Sequence, residues 1–186
     1  MVQTCAARGR TMIITRLDLP QVPEHLIAEA YDCLDRQRID FESFYGGDDD
    51  HTRWSYSWAR TSPVLFEWLQ NNVAQRREWV VNDTTGSGSR HQDWYHHHSK
   101  LIYIMDLGSD DPVYTTWYDE HGHEIIRHVL AAHTWYELTV HVMHGHSALQ
   151  QGRRRCIISQ GDEHPQQRNH NDTRNIGPDV HQGKPQ

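Results

Sequence analysis

No stretch of this 186-residue chain is apolar for the roughly 18 residues that a membrane-spanning helix needs. Residues 1–10 are polar and lack the apolar segment of a secretory signal, which predicts a cytoplasmic protein without a membrane partner. The three cysteines, Cys5, Cys33 and Cys156, form neither a disulfide framework nor a CxxC metal motif, as is typical of a reducing compartment. Lys and Arg number 18 against 25 Asp and Glu, and the net charge of −7 disfavours nucleic acid as a partner without excluding a local basic groove.

Histidine, by contrast, is abundant: the chain has 16, most of them after residue 90. Surface placement explains some of these residues, and a metal site would explain a few. Seven Trp and eight Tyr supply core material for one domain, which we expect over residues 1–160. Residues 161–186 contain almost no apolar side chain and predict a disordered tail.

The first half of the chain predicts two helices. An apolar stripe over residues 24–37, after Pro23, predicts the first, and Ser62 and Pro63 mark the N-cap and first position of the second. A strand is predicted from Met12 and a loop around residues 46–50. After residue 79 the pattern changes to short strands divided by turns, with a turn-rich stretch at 82–89, which is typical of an antiparallel barrel or sandwich. The predicted strands cover residues 79–81, 101–105, 113–118, 124–129, 134–144 and 155–159.

One pair of residues in this β-rich half has the spacing of metal ligands. His91 and Asp93 are two residues apart, so on a strand their side chains share a face. His144, at the end of the alternating segment 134–144, would be a third ligand. Two histidines and one carboxylate on one facet form the ligand set of non-haem Fe(II) enzymes.

An arginine follows at a defined distance. Gly152 lies eight residues after His144 and Arg154 lies ten after it. An arginine on the strand after His144 can bind a carboxylate through two parallel hydrogen bonds. Arg153 and Arg155 have the opposite parity, and one of them would take this role if the register shifted by one residue.

His91, Asp93, His144 and Arg154 together resemble the motif of Fe(II)/2-oxoglutarate-dependent oxygenases, over residues 80–160. The run 100–106 is similar to the strand that follows His-x-Asp in prolyl-hydroxylase-like members. The run 112–118 is similar to their Gly-Gly-x-Thr-x-Phe/Trp stretch, although its two glycines are missing here. With the helices included, the chain also resembles small oxygenases of bacteriophage genomes.

The resemblance implies a mainly β fold with flanking α, in which N-terminal helices buttress a double-stranded β-helix (jelly-roll) core. It implies that His91, Asp93 and His144 bind Fe(II) and that Arg154 binds the distal carboxylate of 2-oxoglutarate. Tyr103 is expected either to hydrogen-bond this co-substrate or to belong to the core. The implied reaction uses O2 to hydroxylate an unactivated C–H bond of a peptidyl residue, amino acid or similar small molecule, with succinate and CO2 as co-products. A phage protein of this kind would act in the host cytoplasm.

Two other readings of the same residues stay open. The first is a cupin-like metalloprotein without 2-oxoglutarate, which would use His96, His98 and His144 as metal ligands. Within the oxygenase hypothesis, His146 is a rival to His144 as the third ligand. The second is a non-catalytic jelly-roll binding or virion protein whose histidines are incidental. Trp94, Tyr95 and Trp117 are expected to line the barrel core or its lip.

Overall fold

A computed structural model describes residues 13–44, 53–86, 88–91, 99–108, 112–146 and 153–160. The loop predicted around residues 46–50 and the tail predicted for 161–186 lie outside these ranges. Within the described residues, neither helix has the length and apolar character needed to cross a bilayer.

The described residues form two helices and eleven strands. The helices are α1 (Glu24–Gln37) and α2 (Pro63–Asn72). The strands, in chain order, are β1 (Ile14–Leu17), β2 (Ile39–Phe44), β3 (Arg53–Arg60), β4 (Glu78–Gly86), β5 (Gly88–His91), β6 (Ser99–Asp106), β7 (Tyr114–Tyr118), β8 (Glu124–Val129), β9 (Thr134–Thr139), β10 (His144–His146) and β11 (Arg153–Gln160).

Both predicted helices are confirmed, and local chemistry explains the start of the second. At α2 the Ser62 Oγ accepts a hydrogen bond from the Leu65 backbone N–H (3.2 Å), which satisfies one of the free amides of the first turn. Pro63 occupies the first helical position, where no N–H is needed. The apolar stripes of both helices are buried: Leu26, Ala30, Cys33 and Leu34 in α1, and Leu65 and Leu69 in α2.

The strands form two antiparallel sheets. The larger has the order β1-β9-β6-β11-β4-β3-β2 and the smaller has the order β5-β10-β7-β8. The eight strands β4 to β11 pass back and forth between them, so that β4, β11, β6 and β9 face β5, β10, β7 and β8. This arrangement is the double-stranded β-helix, or jelly roll, predicted for the core, and two helices accompany it as expected.

Two hydrophobic clusters lie on opposite faces of the larger sheet. The first joins that sheet to the helices and includes Trp79, Tyr103, Trp135 and Ile157. The second fills the space between the two sheets and includes Ile104, Trp117, Tyr136 and Cys156. Because side chains alternate along each strand, consecutive residues of β11 belong to different clusters.

Three parts of the strand prediction were wrong. The segment 134–144 is not one strand, because β9 ends at Thr139 in the larger sheet and β10 begins at His144 in the smaller one. The turn-rich residues 82–89 belong largely to β4 and β5. The hairpin of β2 and β3, which extends the larger sheet beyond β4, was not predicted. Alternation of apolar residues continued through the crossing from β9 to β10, so a period-2 pattern could not reveal it.

On the face of the larger sheet that carries the helices, ion pairs join β11 to its two neighbouring strands. Arg153 binds the buried Asp83 of β4 through both oxygens (Nε–Oδ1 3.0 Å, Nη2–Oδ2 2.5 Å). Arg155 Nη1 donates to Asp106 Oδ2 of β6 (2.8 Å), and its guanidinium lies over the Tyr31 ring of α1 at 5.1 Å. Gly108 packs so closely on the start of β11 that a Cβ there would lie 2.9 Å from the backbone N and O of Arg153. These contacts fix the register of β11 between its two neighbours.

We expect Asp83→Asn to lower the free energy of unfolding by about 1 to 3 kcal/mol, because a buried charged acceptor is lost. The matched control is Asp32→Asn, whose pair with Arg36 is exposed and should contribute about 0.5 kcal/mol or less. Chemical denaturation followed by far-UV circular dichroism measures both. Equal losses in the two variants would show that the bidentate pair at Asp83 does not form.

Candidate active site

The smaller sheet brings two distant histidine positions side by side. His144 of β10 lies opposite His91 of β5 and, on the other side, opposite Trp117 of β7. Directly opposed residues of an antiparallel pair share one face of the sheet. Trp117 is fully buried between the sheets, so both histidine positions lie on the sheet face that lines the sandwich interior.

The His144 imidazole is buried and held in a defined orientation. Its Nδ1 lies 2.8 Å from the carbonyl oxygen of Val142, and its ring lies 6.4 Å from that of Trp117. A carbonyl oxygen only accepts, so Nδ1 carries a hydrogen, and in the neutral ring Nε2 carries the lone pair. Metal-binding histidines commonly show this arrangement, in which a backbone carbonyl fixes the tautomer.

The remaining predicted metal ligands are not covered by the structure. Asp93 and the rivals His96 and His98 lie outside the described residues, as do Trp94, Tyr95 and Gly152. Among the residues that are described, no group of three or more His, Cys, Asp or Glu side chains is arranged to hold a metal ion. His146, the rival third ligand, lies on β10 opposite Thr115 of β7. The set of His91, Asp93 and His144 therefore stays a prediction, with two of its positions now adjacent.

Arg154 lies on the opposite wall of the same interior. It stands between Arg153 and Arg155, whose guanidinium groups bind carboxylates on the helix side, and it shares the face of Cys156 in the inter-sheet cluster. The Arg154 Nε is inaccessible to solvent and has no hydrogen-bond partner among the described residues. Burial lowers the pKa of this guanidinium, and no carboxylate of the described residues forms an ion pair with it. The register therefore selects Arg154 over its two neighbours as the cation facing inward.

Two polar side chains of β4 lie on the same wall of the larger sheet as Arg154. Thr84 of β4 lies opposite Arg154, and its Oγ1 donates to Oδ1 of Asn82 (2.7 Å). Asn82 lies opposite Cys156, whose pKa is raised to about 11 by burial. Sequence reasoning missed Asn82 and Thr84 because they were assigned to a turn. Val80, Asn82 and Thr84 are two residues apart, so on one continuous strand they share a face. This spacing is the signal in the sequence that would have placed Asn82 and Thr84 in the interior.

Tyr103 lies on the other side of the larger sheet. It packs in the cluster beneath the helices, with its ring 4.9 Å from that of Trp135. Burial raises the pKa of its hydroxyl, and the nearby backbone of Val22 partly offsets this rise in pKa. Because the sheet separates Tyr103 from Arg154, we assign it to the core, the second of the two roles expected for it. Trp117 likewise belongs to the core, where its Nε1 donates to the Thr139 carbonyl (2.9 Å).

No protein-family model matches the chain, and no curated protein is significantly similar to it. Similar solved structures include the non-heme α-ketoglutarate-dependent epimerase SnoN from nogalamycin biosynthesis (9% identity, 79% of this chain and 77% of that chain, TM-score 0.48). They also include hydroxypropylphosphonic acid epoxidase from S. wedmorenis (14% identity, 56% and 49%, TM-score 0.36) and a cupin superfamily protein from Desulfitobacterium hafniense (12% identity, 63% and 84%, TM-score 0.35). The chain spans about half the length of the epoxidase structures it matches. With TM-scores this low, the fold assignment rests on the strand order itself.

We expect Cys156 to resist alkylation in the native protein. The thiolate is the reactive form, and a pKa of about 11 leaves far less of it at pH 8 than the ordinary thiol pKa of about 8.5 does. Iodoacetamide should label Cys156 at least about 100-fold more slowly in the folded chain than in guanidinium chloride, as measured by peptide mass spectrometry. Equal rates would mean that the wall beside Arg154 is open to solvent.

Proposed function

We propose that this chain is an Fe(II)- and 2-oxoglutarate-dependent oxygenase that hydroxylates an unactivated C–H bond of a small-molecule or peptide substrate. The observation that carries the proposal is the Arg154 guanidinium. The Arg154 residue is half-buried, but its Nε is inaccessible to solvent and has no described hydrogen-bond partner, and no described carboxylate forms an ion pair with it. It faces the interior that also receives the positions of His91 and His144.

An inaccessible N–H donor without an acceptor is costly, and more so on a charged group, so a protein that keeps one usually supplies an acceptor. The described part of the chain supplies none to Arg154. A guanidinium offers two parallel N–H donors, which match a carboxylate. A dicarboxylate co-substrate such as 2-oxoglutarate would provide that carboxylate, and the Thr84 hydroxyl opposite Arg154 would border it.

Two histidines of the smaller sheet, and a carboxylate that lies outside the described residues, would form the metal centre. His91, Asp93 and His144 would hold Fe(II), with the His144 imidazole already oriented by the Val142 carbonyl. Ferrous iron bound there would supply the activation of dioxygen, coupled to the oxidative decarboxylation of 2-oxoglutarate to succinate and CO2. The protein's part is to align the substrate with this centre and to keep water away from it. The hydrophobic packing of Trp117, Ile104 and Tyr136 between the sheets would exclude water from this part of the interior.

Retention of a carboxylate at position 93 favours hydroxylation. Related halogenases replace this carboxylate with a small residue, which makes room for a halide. The substrate is set by the loops at the mouth of the barrel, since this fold serves many substrates through loop variation. Within the proposal it is a peptidyl residue, an amino acid or a similar small molecule.

Anaerobic titration with Fe(II) and 2-oxoglutarate tests the proposal directly. We expect a weak visible charge-transfer band in the wild-type chain that is absent from Asp93→Ala and His144→Ala. His121→Ala, at the exposed turn between β7 and β8, serves as the matched control and should keep the band. Succinate should form under air only in the chains that show the band.

Two results would contradict the proposal. Stoichiometric metal bound without any effect of 2-oxoglutarate, and lost in His96→Ala but kept in His91→Ala, would favour the cupin-like alternative. No stoichiometric metal, together with a melting temperature that Fe(II) or Mn(II) does not raise, would favour a non-catalytic jelly roll, because a ligand of the folded state must stabilise it.

Substitution of Arg154 should specifically weaken the binding of 2-oxoglutarate. We expect Arg154→Gln to raise the KM for 2-oxoglutarate by about 100-fold, the usual cost of removing one partner of a buried charged pair. Arg154→Lys should restore part of this loss, whereas Arg60→Gln, on an exposed arginine of β3, should leave the KM unchanged. Succinate formation at varied 2-oxoglutarate measures all three. An unchanged KM in Arg154→Gln, with the Fe(II) band intact, would remove Arg154 from the site.

A further inference from the structure

Thr115 carries a buried hydroxyl that, like the Arg154 Nε, has no hydrogen-bond partner in the described part of the chain. Thr115 is the second residue of β7, is 3% exposed, and its Oγ1 is inaccessible to solvent. A hydroxyl buried in this way loses its bonds to water, so without a partner it lowers the stability of the fold. Such a group in a folded protein commonly binds a ligand or a water molecule.

The register of the smaller sheet turns Thr115 toward the interior. Thr115 and Trp117 are two residues apart on β7, so their side chains share a face, and Trp117 is buried between the sheets. His128 of β8 lies opposite Thr115, and its ring packs edge to face on Tyr136 of the larger sheet, with centroids 5.6 Å apart. Both neighbours therefore place the Thr115 hydroxyl on the wall that faces the larger sheet.

The strand order places Thr115 and Arg154 near the same end of the sandwich. The chain crosses from one sheet to the other after β4, β6, β8 and β10, and because neighbouring strands are antiparallel these four crossings lie at one end. Arg154 is the second residue after one of these crossings, on β11, and Thr115 is the second residue after another, on β7. Strand β7 faces β6, which pairs with β11. Two donors without described partners thus lie near one end of the interior, on opposite walls.

We propose that Thr115 binds the same carboxylate of 2-oxoglutarate as Arg154, so that the two walls hold the co-substrate between them. This inference rests on the proposed function. A carboxylate has about four sites that accept hydrogen bonds, and the two parallel N–H donors of a guanidinium use only two of them. The Thr115 hydroxyl would donate to one of the others. It is thus a group that is unsatisfied in the free protein and becomes satisfied when the ligand binds.

The stability of the free protein tests this inference without any turnover. Thr115→Val replaces the hydroxyl by a methyl group of similar size and removes an unsatisfied polar atom from the interior. Without metal or 2-oxoglutarate, the melting temperature of this variant should therefore equal or exceed that of the wild type. A clearly lower melting temperature would show that the hydroxyl already has a partner within the chain and would overturn the proposal.

Binding of the co-substrate should change in the opposite direction. We expect Thr115→Val to raise the KM for 2-oxoglutarate by about tenfold, because a hydrogen bond to a charged group is lost. Thr115→Ser keeps a hydroxyl and should restore most of the affinity. The matched control is Thr116→Val, a buried neighbour on the other face of β7, which should leave the KM unchanged. Succinate formation at varied 2-oxoglutarate measures all three variants, and anaerobic titration of the Fe(II) band gives the corresponding dissociation constants.

A double variant tests whether Thr115 and Arg154 bind the same group. A carboxylate that has lost Arg154 is no longer held against the hydroxyl, so Thr115→Val should raise the KM by a smaller factor in the Arg154→Gln background than in the wild type. Equal factors in the two backgrounds would assign Thr115 to a different part of the ligand and overturn the proposal. An unchanged KM in Thr115→Val, with the wild-type band intact, overturns this inference alone. A wild-type chain without the band overturns the proposed function as well.

Discussion

The inward direction of Arg154 depends on the ion pairs made by its two neighbours on the opposite face of β11. Arg153 is bound to Asp83 and Arg155 to Asp106, and both carboxylates belong to the strands on either side of β11. A shift of β11 by one residue would place Arg153 and Arg155 between the sheets, so that Arg154 alone, in place of two arginines, would serve Asp83 and Asp106. The register of this strand is thus fixed by charges on the helix side, and the cation between the sheets follows from it.

The polar groups of the interior lie on both of its walls. The wall of the larger sheet carries Arg154, Thr84 and Asn82, and that of the smaller sheet carries His144 beside Trp117. Between and around them lie apolar side chains that lower the local dielectric. In such surroundings a charged hydrogen bond is stronger, and an unpaired charge more costly, than at the surface. Under the proposed function, both effects would strengthen the binding of the 2-oxoglutarate carboxylate to Arg154.

The proximity of the two histidine positions results from the winding of the chain and not from local spacing. His91 and His144 are adjacent because β5 and β10 pair in the smaller sheet, although the chain visits the larger sheet between them. The break between β9 and β10 is essential to this arrangement. If residues 134–144 formed one strand, as their alternation indicated, His144 would lie in the larger sheet.

The elements whose causes are local could be predicted from the amino-acid sequence. The cap at Ser62 with Pro63, the apolar stripe of α1 and the short alternating strands of the second half all follow from neighbouring residues. The motif of His91, Asp93, His144 and Arg154 also came from the sequence, through its resemblance to a known family. The strand pairing was needed to show that Tyr103 belongs beneath the helices, that Asn82 and Thr84 border Arg154, and that the chain crosses between sheets after Thr139. The physical reason is that a strand has two equivalent faces in the sequence, and only its pairing partners determine which of them is turned toward the interior.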